Sequence, residues 1–390
     1  MKKNIQFIHE NIIKKIYKKN VRSNIIKNYL IFYVEKNIQK KNITQIKTSS
    51  KNIKLKLTHL HKNSKKITLL NNNVIKIDNL NEIKIFTKIN KELLTDIKNF
   101  FTDCMYPNLN LNYIANNLSM QNKIFIKIPK ELIIEKPIHI INIHKKQKEK
   151  KTYKLYLILD ENSKANILSY YVNKNKNMYT NINTNIYLKK NSFLNYKIIN
   201  SNKKNITYNA SMYTKQLKNS NLNLTEIYLE NDNLNSQKNF FLIGKNSNLE
   251  KKAGYILDNT QCSIICKINH YENESQSKTI IKTTNVNSEI SFKGHIEVST
   301  DVEKTQSNLT CKGIMLSKNG SIEFKPELAI NNNNIVCSHA ATVGYIDKNV
   351  IRYMQSRGLK EIDCINTLIK IFFHDILNNE KILSKIINGI

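Results

Sequence analysis

The sequence predicts a mainly β protein, a solenoid of short stacked strands flanked by helical regions at both ends. Three observations carry this. Apolar residues alternate with a period of two from about residue 120 to 346. Turn-like tripeptides recur through that block at nearly even spacing. Before and after it, apolar residues fall at helical spacing.

At the N-terminus, Ile5, Ile8, Ile12 and Ile16, then Ile25, Ile26, Tyr29, Leu30 and Tyr33, predict helix over the first forty residues. Residues 41–75 are rich in Lys and Asn, with alternating stretches such as Ile53–Leu57. A helix is predicted at 91–103. Asn90 is its cap, and Leu93, Leu94, Ile97, Phe100 and Phe101 are its apolar face.

The strand block opens with Ile124, Ile126 and Ile128 and runs through Ile138, Ile140 and Leu155, Leu157, Leu159. Turn tripeptides centre on Asn162, Asn191, Asn219, Asn246, Asn259, Asn287 and Asn319, separated by 29, 28, 27, 13, 28 and 32 residues. A repeating strand-and-turn unit with no helix between strands describes stacked rungs. Asn suits such turns because it tolerates the left-handed backbone conformation better than other non-Gly residues. This also explains how eight Gly suffice for the chain.

Helix returns after the strands. Asp347 is placed to cap a helix through Ser356, with Gly358 at the C-terminal stop. A second helix runs from about Lys360 to Leu377, with a stripe of Ile362, Ile365, Leu368, Ile369, Phe372, Phe373 and Ile376. An amphipathic tail with Ile382, Leu383, Ile386 and Ile387 follows. The expected divisions are an N-terminal helical or mixed region at 1–119, a β core at 120–346 and a C-terminal helical, partner-binding region at 347–390.

Composition says less about function than its extremes suggest. The formal net charge is +32, yet only Arg22, Arg352 and Arg357 are Arg. Lys, Asn and Ile make up 182 of 390 residues, the bias of a very AT-rich coding sequence. A Lys-rich nucleic-acid-binding module is one reading of the charge. Against it, the Lys residues are scattered, and Arg, the preferred residue for bidentate contacts, is nearly absent. The 40% hydrophobic content supports a folded core. No run of about 18 apolar residues predicts a membrane span. Six Cys without a secretory signal predict reduced thiols and a cytoplasmic protein.

Two groups of residues carry candidate chemistry. Cys262, Cys266 and His270 are spaced by four, but in a strand each step covers about 13 Å, too far for one metal to reach all three. Core packing is therefore expected. Cys337 and His339 share a strand face about 6.6 Å apart, and both suit one metal centre if further ligands arrive from another chain. A buried Cys beside a hydrogen-bonded His is the alternative. Walker A, G-x-G-x-x-G, G-x-S-x-G and H-E-x-x-H motifs are missing from the sequence. A β-helix carbohydrate-active enzyme is a further alternative, but the 30 acids form no cluster in the sequence.

Cys337-Ser338-His339-Ala340-Ala341-Thr342-Val343-Gly344-Tyr345-Ile346-Asp347 resembles the C-S-H-G-A-T-V-G-x-I-D signature of the SufB/SufD family of iron–sulfur cluster assembly proteins. Tyr353–Gly358 is similar to the family's Y-L-R-S-R-G, Phe292–Val298 to F-x-G-x-I-x-V and Lys325–Leu328 to K-P-x-L. His270 with Ser275–Lys278 matches a histidine-then-serine stretch, and Phe125–Pro129 with Glu135–Ile138 resembles the opening of the β-helix. The C-S-H form resembles the SufD branch; the SufB-like form reads E-H-E-A-T and has a Cys in the preceding rung, where Leu316–Gly320 has none.

The resemblance implies a right-handed parallel β-helix core flanked by N- and C-terminal helical regions. It implies a non-enzymatic scaffold that pairs with a SufB-like subunit and docks a SufC-like ATPase. A transient iron–sulfur cluster would be shared with the partner, and a reduced flavin in the complex is compatible with it. Carried onto this chain, His339 and, less firmly, Cys337 would face the nascent cluster, and Tyr353, Arg357, Ile369 and Phe373 would bind the partner. Neither membrane binding nor specific nucleic-acid binding is implied. Two departures stand out: Ala340 replaces a Gly, and Asn331–Asn334 occupy a usually acidic region.

Overall fold

The computed structural model describes residues 65–377 except 71–72, 79, 81, 88–89, 103–122, 145–150, 174–177, 203–205 and 230–232. The helix expected in the first forty residues, the stretch at 53–57 and the tail at 382–387 lie outside the described residues.

The described strands form two sheets. The first contains, in chain order, β1 (Lys65–Leu70), β2 (Asn73–Asp78), β5 (Ile133–His144), β7 (Lys164–Asn173), β9 (Phe193–Asn202), β11 (Asn221–Leu229), β13 (Asn248–Asp258), β15 (Gln276–Val286), β17 (Thr305–Met315) and β19 (Ile335–Tyr345). The second contains β3 (Lys84–Phe86), β4 (Lys123–Ile128), β6 (Lys151–Leu159), β8 (Met178–Leu188), β10 (Ile206–Gln216), β12 (Asn233–Leu242), β14 (Gln261–His270), β16 (Glu289–Val298) and β18 (Ser321–Ile330). From β4 onward the chain alternates between the sheets, and each strand pairs in parallel with the strand two places later. This is a parallel β-helix, with β1 extending the first sheet beside β5. Antiparallel neighbours occur only at the N-terminal end of the described strands, as β1–β2 and β3–β4.

The turns explain the repeat. Asn162, Asn191, Asn219, Asn246, Asn259 and Asn287 all adopt the left-handed conformation, with φ between 50° and 58°. At the seventh turn, Gly320 takes the positive φ in place of Asn319. Four of the Asn stack into a side-chain ladder. The amides of Asn191, Asn219 and Asn246 donate to the Oδ1 atoms of Asn162, Asn191 and Asn219 at 2.8, 2.9 and 3.1 Å. The odd spacing of 13 marks the step from this column, whose last Asn lies between β12 and β13 and which continues with Glu274 and Lys304 at a similar positive φ, to the opposite column between β13 and β14.

Strand alternation sends one set of side chains into the solenoid. Leu155, Tyr196, Leu224, Tyr255, Ile264, Phe292 and Leu309 belong to one continuous core. Polar residues share this interior. Lys238 donates to Glu226 at 2.6 Å and Lys251 lies 3.3 Å from it, all three without solvent contact. Burial pushes the Glu226 carboxyl up, but the two lysines overcome this and hold it below its ordinary value.

Helices cover the outer faces. α1 (Lys91–Thr102) packs Leu93, Ile97 and Phe100 against Phe125, Tyr156, Tyr187 and Tyr213. Asn90 caps it as expected, its Oδ1 accepting from the Leu93 amide at 2.8 Å. Lys127 and Lys189 reach from the sheet to Asp96 at 2.7 and 2.6 Å and fasten the helix. α2 (Lys348–Ser356) carries the expected Asp347 cap, and Gly358 follows with φ 89°. α3 (Glu361–Leu377) lays Ile369, Phe373 and Ile376 onto Ile199, Ile227, Leu229 and Ile256 of the first sheet. A Cβ on Gly254 would meet the Phe373 ring at 3.3 Å, so the missing side chain lets the helix approach.

Candidate functional site: the last rung of the solenoid

β19 pairs with β17 and β18 with β16, and neither has a neighbour on its other side among the described residues. The solenoid therefore ends on an open rung. Inward positions of earlier rungs are sealed by the next rung; here they are not. Phe324, Leu328, Ile330, Ile335 and Cys337 only partly bury themselves against the core. Val336 and Tyr345 are 70% and 66% exposed.

Cys337 and His339 lie on this rung. Cys337 stacks in register on Ser307 and His339 on Leu309. Both underlying residues point into the core, so the two side chains share the inward face, as the i, i+2 spacing predicts. The Cys337 thiol is half-buried, and burial pushes its pKa up while a main-chain hydrogen bond from Ser307 opposes the rise. His339 is exposed. Among the described residues, no group of three His, Cys, Asp or Glu is arranged to hold a metal ion. One chain thus offers a thiol and an imidazole, chemically suited to iron, and too few donors for a closed centre.

Tyr353 is 61% exposed on α2, a helix with no buried residue, and the Arg357 guanidinium lies 5.4 Å from its ring centre. Ile369 and Phe373 are placed differently from the partner-facing role given them above. Both are buried against the chain's own first sheet, because the widest part of the α3 stripe meets apolar residues there. The side of α3 that faces outward carries Ile362 and Ile371, 56% and 64% exposed. Between α2, α3 and the last rungs lies a cavity of about 960 Å³ lined by Leu316, Tyr345, Ile351, Arg352 and Ile365 among others.

Cys262, Cys266 and His270 are core residues, as the strand spacing requires. His270 is engaged on both ring nitrogens: Nδ1 with Ser275 Oγ at 2.8 Å and Nε2 with Ser277 Oγ at 2.9 Å. These two bonds leave no free ring nitrogen for a metal, and burial lowers the His270 pKa to about 4. The sequence reading missed the lines of hydroxyls running from this histidine towards the last rung. Their signal was present in Ser275, Ser277, Thr305 and Ser307, small polar residues at inward strand positions.

The sequence profile of the SUF system FeS cluster assembly SufBD core domain matches residues 142–372. An iron–sulfur cluster assembly SufBD family protein of Archaeoglobus fulgidus is 35% identical over 98 residues, 25% of this chain and 26% of that protein. The iron–sulfur cluster assembly protein SufD of Escherichia coli is 30% identical over 133 residues, 34% of this chain and 31% of the relative. A SufBD family protein of Synechocystis is 33% identical over 87 residues, 22% of this chain and 19% of the relative. These alignments span less than a third of each curated relative's length. The profile match covers well over half of the chain and most of the parallel β-helix, so the chain belongs to the SufBD core family of iron–sulfur cluster assembly proteins.

Proposed function

We propose that this chain is a SufD-type, non-enzymatic scaffold of the cytoplasm. In this reading it pairs through its open rung with a SufB-type scaffold. The nascent iron–sulfur cluster is the cargo held between the two chains. His339 serves as a ligand or as a residue that positions one, and Cys337 supplies a supporting thiol. The observation that carries the reading is the open rung itself: among the described residues, Cys337 and His339 stand together on an end that no strand covers and with too few donors for a closed centre. The C-S-H sequence supports the SufD branch over the SufB branch.

The C-terminal segment 347–390 docks a SufC-type ATPase, with Tyr353 on α2, Arg357 at its C-cap and the outward Ile362 and Ile371 on α3 available to it. Nucleotide binding by the partner would then shift the two scaffolds between closed and open populations at the rung. Among the described residues there is no Gly-rich phosphate-cradling loop.

The test is reconstitution with a SufB-type scaffold and a SufC-type ATPase under anaerobic conditions. His339→Ala is expected to abolish cluster formation, read by visible absorbance and iron content, while the complex still co-elutes. Normal cluster yield from that variant refutes the role given to His339, and failure to co-purify with either partner refutes the scaffold reading.

A further inference from the structure

The structure carries a buried hydrogen-bonded device that leads to the last rung. His270 sits at the end of β14 with no solvent contact. From its Nδ1 a line runs to Ser275 Oγ at 2.8 Å and on to Thr305 Oγ1 at 3.3 Å. From its Nε2 a second line runs to Ser277 Oγ at 2.9 Å and on to Ser307 Oγ at 2.6 Å. All four hydroxyl residues are buried. Thr305 and Ser307 are the register partners of Ile335 and Cys337. One imidazole thus anchors the two inward hydroxyls directly beneath the first two inward residues of the terminal strand.

This arrangement is more than filler. Among the described residues β19 has one hydrogen-bonded neighbour, β17, so the placement of its side chains depends on what β17 presents. Deeper in the solenoid, inward positions such as Leu194, Leu222 and Leu249 are aliphatic. Leu222 and Leu249 stand in register two rungs and one rung before Ser277, so the column changes from Leu to Ser only as it approaches the open end. A hydroxyl fixed at its far side is oriented, and Ser307 also touches the Cys337 sulfur through its main chain.

We propose that His270, with Ser277 and Ser307, is a positioning device that fixes the orientation of the Cys337 thiol on the open rung through the stacked column Ser277–Ser307–Cys337. The proposal rests on the reading that the last rung is the assembly site. His270 and the two serines touch no cargo; they act through Cys337.

The test reads Cys337 directly in the full-length chain, without iron or partner, at one fixed pH. The measurement is the rate of alkylation of Cys337 by iodoacetamide, followed by peptide mass spectrometry. Ser307→Ala and Ser277→Ala each remove the Ser277–Ser307 bond beneath Cys337 and are expected to change this rate by roughly threefold, the size of that one lost hydrogen bond. Ser307→Thr, which keeps the hydroxyl, should stay within about twofold of the parent. His270→Phe removes both ring nitrogens while keeping an aromatic ring, and should match Ser277→Ala. The double variant His270→Phe/Ser307→Ala should show no more effect than either single change, because the column acts as a unit. Additive effects, or Cys337 rates unchanged in the folded serine variants, overturn the proposal. If His270→Phe does not fold, the Ser277→Ala/Ser307→Ala pair supplies the same cycle. Cluster yield from Cys337→Ala in the complex is measured separately. Full yield there with altered alkylation in the column variants leaves the device standing and removes the thiol from assembly; lost yield with unaltered alkylation does the reverse.

Discussion

Replacing Asn219 separates the two ways in which the turn ladder stabilises the solenoid. Asn219 holds φ at 56°, donates to Asn191 at 2.9 Å and accepts from Asn246 at 3.1 Å. The left-handed conformation costs an Ala about 1–2 kcal/mol. Each ladder bond contributes about 0.5–1.5 kcal/mol net. Asn219→Ala is therefore expected to lose about 2–5 kcal/mol of unfolding free energy. Asn219→Gly loses the same two bonds but relieves the backbone. After its own entropy cost it should be milder than Ala by about 1 kcal/mol. Urea denaturation followed by circular dichroism resolves the two through their midpoints at a common slope. If Gly is no milder than Ala, the backbone argument fails. If both are near neutral, the ladder contributes nothing.

Other perturbations follow from the interior and the helices. Glu226→Gln leaves Lys238 and Lys251 buried without their counter-ion and should cost about 3–5 kcal/mol, whereas Leu at 226 with Met at 238 and 251 should restore stability, both read by denaturation. His270 has its folded pKa lowered to about 4 from an ordinary 6.5, so the unfolded chain binds more protons between those values. Its contribution, about 3 kcal/mol by the size of the shift, is present above pH 6.5 and lost as pH falls towards 4; His270→Phe should flatten that part of the stability–pH curve. Phe373→Ala should cost about 3–5 kcal/mol and expose the segment 348–377 to limited proteolysis, with Phe373→Leu milder.

The fold was legible because its rules are local. Period-two alternation and Asn at the turns are set within single rungs, and Asn162 to Asn287 all take the conformation that their spacing implied. The caps at Asn90 and Asp347 were legible for the same reason. Cys337 and His339 could be placed on one face from spacing alone. What the sequence did not disclose is what stacks beneath them, because register between residues 30 positions apart is a property of the wound chain. Nor could the stripe on α3 say which of its residues meet the solenoid. Ile362 and Ile369 read alike as members of the stripe, and only docking divides them into an exposed and a buried side.

The open rung has a consequence for the chain as a polymer. A parallel ladder ending in free amides and carbonyls is a template on which another strand can grow. Two such ends meeting would extend the solenoid from one molecule into the next. The formal charge of +32 opposes this, since identical chains repel one another most when salt is dilute. The lysines accumulated by codon bias thus act as a spacer between copies. Raising the ionic strength would withdraw that spacer and leave the ladder end as the most association-prone part of an unpaired chain.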